Sequence, residues 1–428
     1  MKKLWSAAKR VGVLFLISLP TWALGLKPPI DFTSAKVLPK GVRNLRLRPI
    51  FSGANERFDN TGRIEPVGSA MNAPVSFNRL VEGKPALNER GTILGETEMS
   101  QLKSFLNTHG ISDLSKLAGN TTGDVHVSAS VITPIFAYGA SKKWTWAAAV
   151  PIYQFQSQVK TGFIAGPELE KLAKTLVEKG MTKEYLDLVK NMDNPIVHKM
   201  QDYGYEPLAN EKFSAIGDVK LVSKYLLIKG DLWSFTWQHD LTLPTGKKPS
   251  VNKLIDLSPG DGQWDVGTGF IGEVAGPKGL SVAATVGVEA ELAQNMAKRI
   301  PEYPDSSLSP DIDPQTHRDL GDQIYSQIHG RFEFLEGLAV SSALGYQYKQ
   351  KDRYSGNVFA AERYEWLEAN TDQYLLSAQL GLGVNTISKF LRKAFIAPLE
   401  ANLNYTYVLA GKNVSKDSLV ALDFALFF

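Results

Sequence analysis

Three features of this 428-residue chain predict an all-β fold, a transmembrane antiparallel up-and-down β-barrel of about 12 strands with helical segments in long extracellular loops. Its C-terminal segment is an alternating strand that ends on an aromatic ring. Its connections alternate between short and long. Its longest apolar run lies at the N-terminus and is too brief to span a bilayer as a helix.

Met1–Arg10 carries Lys2, Lys3, Lys9 and Arg10, Val11–Leu19 is almost wholly apolar, and small Ala23 follows a break at Pro20–Trp22. This order reads as a secretory signal peptide over residues 1–23, cleaved after Ala23 or Gly25. Residues 24–41 then form a periplasmic N-terminal lead or partial plug, and residues 42–428 form the barrel.

Strands are expected near Val42–Ser52, Asp124–Tyr138, Lys143–Gln158, Ser214–Ile228, Leu232–Leu243, Gln263–Val274, Leu280–Leu292, Gln323–Phe334, Leu338–Lys351, Gln373–Ile387, Ala394–Leu409 and Ser418–Phe428. Tight turns such as Gly139–Lys142, Lys229–Asp231, Gly276–Gly279, Leu335–Gly337 and Ser388–Lys393 alternate with long connections such as Gly53–Gly123, Val159–Phe213 and Ala293–Asp322. Short periplasmic turns and longer outside loops are the asymmetry of an outer-membrane barrel. A soluble sandwich has no reason to sort its loops this way.

Facing follows from the two-residue period of a strand. Val282, Ala284, Val286 and Val288 share one face, and Ser281, Thr285, Gly287, Glu289 and Glu291 the other. The first face suits lipid and the second water. On this basis the inward, candidate lumen-lining residues are Asp218, Lys220, Asp240, Asp265, Glu289, Glu291, His329, Arg331, Glu333, Lys349, Glu400, Asn402 and Asp423. Mixed signs either pair across a narrow lumen or line a water-filled path. Central charges are absent from the apolar faces, where each would cost ~2–4 kcal/mol.

Four other patterns have plainer readings. Gly267-Thr-Gly-Phe-Ile-Gly272 has dinucleotide-turn spacing but sits inside a strand, so Gly267 and Gly269 are read as leaving room in the lumen. His126 and Ser128 share a strand face, as in outer-membrane phospholipases; no Asn follows on the next strand, so both are assigned to a polar interior. Asp305, Asp311, Asp313, Asp319 and Asp322 are expected in an extended, solvated acidic loop. Leu169, Leu172 and Leu176 form a helical stripe closed by Gly180, and a second helix is expected over Glu98–Asn107, both lying over or into the barrel mouth.

Composition narrows the function. Lys and Arg number 47 against 44 Asp and Glu; without the four basic residues of Met1–Arg10 the balance is 43 to 44, which gives nucleic acid no electrostatic footprint. Cysteine is absent, which removes disulfides, thiolate catalysis and Cys-ligated metals. No cofactor is implied.

Val420, Leu422, Phe424, Leu426 and terminal Phe428 share one face of the last strand, and here the chain resembles the bacterial outer-membrane β-barrel proteins. That resemblance implies outer-membrane lipids and lipopolysaccharide as surroundings and recognition of the Phe428 strand by the barrel-assembly machinery. Leu241-Thr-Leu-Pro-Thr-Gly246 and Ser258-Pro-Gly-Asp-Gly-Gln-Trp-Asp-Val-Gly-Thr-Gly269 resemble the transporter family associated with the MetA pathway of phenol degradation, and more distantly the long-chain fatty acid channels. Either resemblance implies passive uptake of small hydrophobic or aromatic solutes. The alternatives are a barrel lipase using His126 and Ser128, or a structural or adhesive barrel with a closed lumen.

Overall fold

The structure, a computed structural model, describes Leu26 and residues 33–77, 104–181, 200–304 and 308–428. The expected signal peptide, Asp305 and most of the expected helix at Glu98–Asn107 lie outside them. Twelve strand positions form the wall: β1 (Arg43–Ala54), β2 (Leu117–Gly139), β3 (Trp144–Ala149 and Ile152–Ala165), β4 (Glu211–Ile216 and Val219–Lys229), β5 (Trp233–Leu243), β6 (Asp265–Ala275), β7 (Leu280–Glu291), β8 (Gln323–Leu335), β9 (Leu338–Lys349), β10 (Gln373–Asn385), β11 (Leu399–Lys412) and β12 (Ser418–Phe427). Each pairs antiparallel with the next. β1 also pairs with β12, Leu45 opposite Leu426 and Ile50 opposite Ala421, so the ring closes and leaves no edge. Among the described residues no helix is long and apolar enough to cross a membrane.

Side-chain burial is inverted relative to a water-soluble domain. Along β7, Val286 is 54% exposed on the outside while its neighbour Thr285 is 7% exposed on the inside. The same holds on β12, where Phe424 faces out and Asp423 is buried. Hydrocarbon solvates such an exterior at no cost in exposed apolar surface.

Three strand readings need correction. The third and fourth strands are each interrupted, at Val150–Pro151 and Gly217–Asp218, and the breaks meet: the Gly217 N–H donates to the Pro151 carbonyl at 2.9 Å. Proline has no N–H for the ladder, and a Cβ on Gly217 would lie 2.5 Å from the Tyr153 ring. The strand expected from Ala394 begins only at Leu399, after a short helix at Ile387–Leu391, because Pro398 cannot donate to the ladder. The expected acidic loop is a β-hairpin, Gln294–Ile300 with Asp311–Asp319, extended by Arg353–Ser355 into a separate three-stranded sheet. There Asp313 is buried and accepts hydrogen bonds from the Tyr364 hydroxyl and the Gln315 N–H.

Helix Pro167–Glu178 buries Leu169, Leu172 and Leu176 against Phe77, Leu106, Ile111 and Ala118. Lys179 is its C-cap, Gly180 follows at φ +73°, and the Met181 N–H bonds back to the Leu176 carbonyl at 2.8 Å. This cluster sits on the outer extension of β2 and β3. β2 alone has 23 residues, whereas a wall strand needs only ~9–11 to span the membrane. Loop residues Val67, Met71 and Leu257, not the helix, pack against the inner face at Val125, Val127, Ala129 and Phe155.

Candidate functional site: the barrel lumen

The inner face has two unlike arcs. On β2 and β3 it is largely apolar, with Val125, Val127, Ala129 and Phe155 in one cluster and Val131 packed with Ile50, Leu419 and Ala421 of β1 and β12 in another, while β1 and β12 also carry the inward charges Arg46, Arg48 and Asp423. From β4 to β11 it is polar and charged. The charges are mostly matched by nearby partners. Asp423 is held by Arg48, Nε and NH2 both at 2.7 Å, and by Arg46 Nε at 3.3 Å. Glu400 lies 3.6 Å from Arg46 and accepts from Asn402 Nδ2 at 3.1 Å. Across the ring, Lys220 pairs with Glu289 at 2.9 Å, and Asp240 accepts from Gln238 Nε2 at 3.0 Å.

Of the other expected residues, all but those of β8 lie nearer the ends. Asp218 sits at the break in β4 and accepts from the Gly246 N–H at 2.8 Å. His329 and Arg331 are on the inner face of β8, His329 buried and Arg331 half-buried. Glu333 accepts from the Gly337 N–H at 2.9 Å and so secures a tight turn rather than the middle of the wall. Near the loop end, buried Lys349 pairs with Asp352. Asp261, Asp265 and Glu291 bring carboxylate oxygens within 4.8 Å of one another. Glu291 accepts from Gln263 Nε2 at 2.9 Å and from Gln323.

Through this lumen runs the chain's own lead. Thr33 N–H donates to Gln327 Oε1 at 3.2 Å; its hydroxyl bonds the Thr285 hydroxyl. Glu273 accepts from Ser34 Oγ at 2.8 Å and from the Ala35 N–H at 3.0 Å, and Lys36 Nζ lies 3.3 Å away. Thr236 donates to the Ala35 carbonyl, Lys224 to the Ser34 carbonyl at 3.1 Å, and the Leu38 N–H to Thr145 Oγ1 at 2.7 Å. Leu26 is buried with Phe58, Leu375, Val408 and Val414. Residues 33–38 therefore touch β3 to β8 from inside the ring.

Sequence reasoning missed part of this. Arg46 and Arg48 were legible, since they alternate with outward Leu45 and Leu47. The lead's contacts were not, because Thr33 and Gln327 are 294 residues apart. The two expected glycines of β6 do make room, Gly267 beside Asp240 and Glu289 and Gly269 for a tyrosine: a Cβ on Gly269 would lie 2.8 Å from the Tyr325 hydroxyl, and one on Gly287 of β7 2.3 Å from the Tyr325 ring. His126 and Ser128 are not interior residues. They share the outward parity of Ile132 and Phe136, while Val125 and Val127 point in. His126 bonds Asn55, a residue just past β1 that a search of the next strand overlooks, yet no hydrogen bond joins His126 to Ser128.

No protein-family model matches the chain, and no curated protein does. Among solved structures, an outer membrane channel from Pseudomonas putida F1 is similar at a TM-score of 0.51 and 10% identity, over 94% of this chain and 100% of that one. The chain has an outer-membrane channel fold. Weaker likenesses include a Pseudomonas aeruginosa FadL homologue, TM-score 0.34 and 7% identity over 90% of each chain. The Pseudomonas putida toluene transporter TodX gives a TM-score of 0.33 at 10% identity, over 91% of this chain and 89% of that one. The outer-membrane channel fold accounts for the oily exterior and for charges confined to the interior.

Proposed function

We propose that the protein is a passive diffusion channel of the Gram-negative outer membrane for small hydrophobic or aromatic solutes, narrowed by its own N-terminal lead. The observation that carries this is the two-sided lumen: an apolar arc faces a polar one inside a closed ring. An aromatic ring suits the first arc and a hydroxyl or carbonyl the second, so solutes with both fit better than sugars or bare hydrocarbons. The strand-end resemblance at Leu241–Gly246 favours the same class. Lipid and lipopolysaccharide surround the exterior in this reading, and the β12 strand leading to Phe428 is what the assembly machinery takes up.

The test is solute flux into vesicles carrying the full chain. Small phenols are expected to enter faster than sugars of similar size, by a margin that empty vesicles do not show. Equal rates for both classes overturn the solute assignment. The Asn55–His126 bond is the one observation that favours a lipase. Because Ser128 does not reach His126, we infer no lipid hydrolysis by this pair; Ser128→Ala is expected to leave residual hydrolysis unchanged, and a loss of hydrolysis would overturn that.

A further inference from the structure

Four of the tight turns opposite the loop end hold two to four residues, at 140–143, 230–232, 276–279 and 336–337, but the one joining β10 to β11 holds thirteen, residues 386–398. Its shape is fixed. Thr386 closes its base, donating through Oγ1 to the Ala397 carbonyl at 2.7 Å and accepting from the Leu399 N–H at 2.8 Å. The helix Ile387–Leu391 ends with Lys393 at φ +60° and the Ala394 N–H bonded to the Lys389 carbonyl at 2.7 Å. Arg392 reaches Glu336 of the neighbouring turn, which holds the segment along the rim of the wall.

This segment displays apolar side chains outward. Ile396 is 92% exposed and Leu391 75%, with Phe390 and Phe395 beside them around a shallow recess. A turn in water has no reason to show two aliphatic and two aromatic side chains together. The patch continues the exposed apolar belt of Leu382, Val384, Leu399 and Leu426 on the adjoining strands. Between Thr386 and Pro398 every charge is positive, Lys389, Arg392 and Lys393, and Glu336 answers only Arg392.

We propose that residues 387–396 form an interfacial anchor that binds an anionic phospholipid of the periplasmic leaflet. Leu391, Phe395 and Ile396 enter the acyl region, and Lys389 and Lys393 hold the headgroup phosphate. Apolar residues flanked by cations at one depth are the pattern of a segment lying in a charged interface. A second copy of the chain would cover the apolar patch but would bring the same three cations to face each other.

The natural absence of cysteine allows a single nitroxide label through Ile396→Cys in the otherwise unaltered chain, with heat-resistant gel migration reporting the folded barrel. In phosphatidylcholine vesicles containing phosphatidylglycerol the label is expected to be accessible to oxygen and protected from a water-soluble nickel chelate. Phosphatidylglycerol retained on the purified protein, read by native mass spectrometry, is expected to fall about 5-fold for each of Lys389→Gln and Lys393→Gln. A label open to the nickel chelate overturns the proposal. So does retention that is indifferent to headgroup or to the lysines, and so does burial that vanishes when the protein is diluted in the vesicles, which would assign the patch to a second copy.

Discussion

Removing the Glu273 carboxylate, as in Glu273→Ala, should loosen the lead within the lumen. Glu273 is buried and accepts two hydrogen bonds from the lead, from Ser34 Oγ and the Ala35 N–H. Each is charge-assisted and is assigned ~1.5 kcal/mol, so their loss weakens the lead's attachment by about 3 kcal/mol. The ion pair to Lys36 adds little, because that lysine is largely exposed. Three kcal/mol corresponds to roughly a 100-fold rise in the ratio of undocked to docked lead. The barrel itself should survive, since Glu273 sits among the ladder bonds of β5, β6 and β7, which do not involve its side chain. In planar bilayers the variant should therefore dwell in a higher-conductance level far more often than the unaltered chain, and Thr236→Val, which removes the donor to the Ala35 carbonyl, should add to the effect. A conductance histogram unchanged by both substitutions, in protein shown to be folded, refutes the idea that this segment narrows the path.

Two further outcomes follow from the packing. Gly287→Ala places a methyl group against the Tyr325 ring and should lower thermal stability by ~1–3 kcal/mol, read as the temperature at which the folded gel band disappears; Tyr325→Ala in the same chain should recover much of the loss. Asp59, in the loop after β1, has a carboxyl lowered to about 2: burial alone would raise it, but hydrogen bonds from Thr61 and Arg63 outweigh that. Its folded-state value lies below the ordinary range, so its contribution is complete above ~4 and lost as pH falls through about 2. Pepsin cleavage of this loop should rise across that window, and Asp59→Asn should abolish the step.

The strand period made much of the wall legible. β7 was readable because outward Val282, Val286 and Val288 alternate with inward Ser281, Thr285 and Glu289, and only small Ala283 and Gly287 interrupt the polar side. The breaks at Pro151 and Gly217 were less visible, since alternation continues on both sides and only the missing N–H and the missing Cβ mark them. His126 and Ser128 were misassigned by weighing their chemistry before their parity; Ile132 and Phe136 on the same strand already fixed which way they point. The lead's role in the lumen and the Tyr325 recess depend on contacts between distant parts of the chain, for which no local pattern exists. The hairpin at Gln294–Asp319 was hidden for another reason. Its stability comes from buried groups such as Arg299, which donates to the carbonyls of Tyr203, Gly204 and Val251, not from an apolar face.

Hydrocarbon, not protein or water, should solvate the outer face of the ring. Arginine placed in turn at each position of β7 tests it most directly, with unfolding free energy measured in lipid vesicles. A cost of ~2–4 kcal/mol is expected at Val286, falling toward the strand ends on the same face, with a smaller cost and no such depth profile at Ser281, Thr285 and Glu289. Equal costs on both faces, or none at Val286, would contradict it.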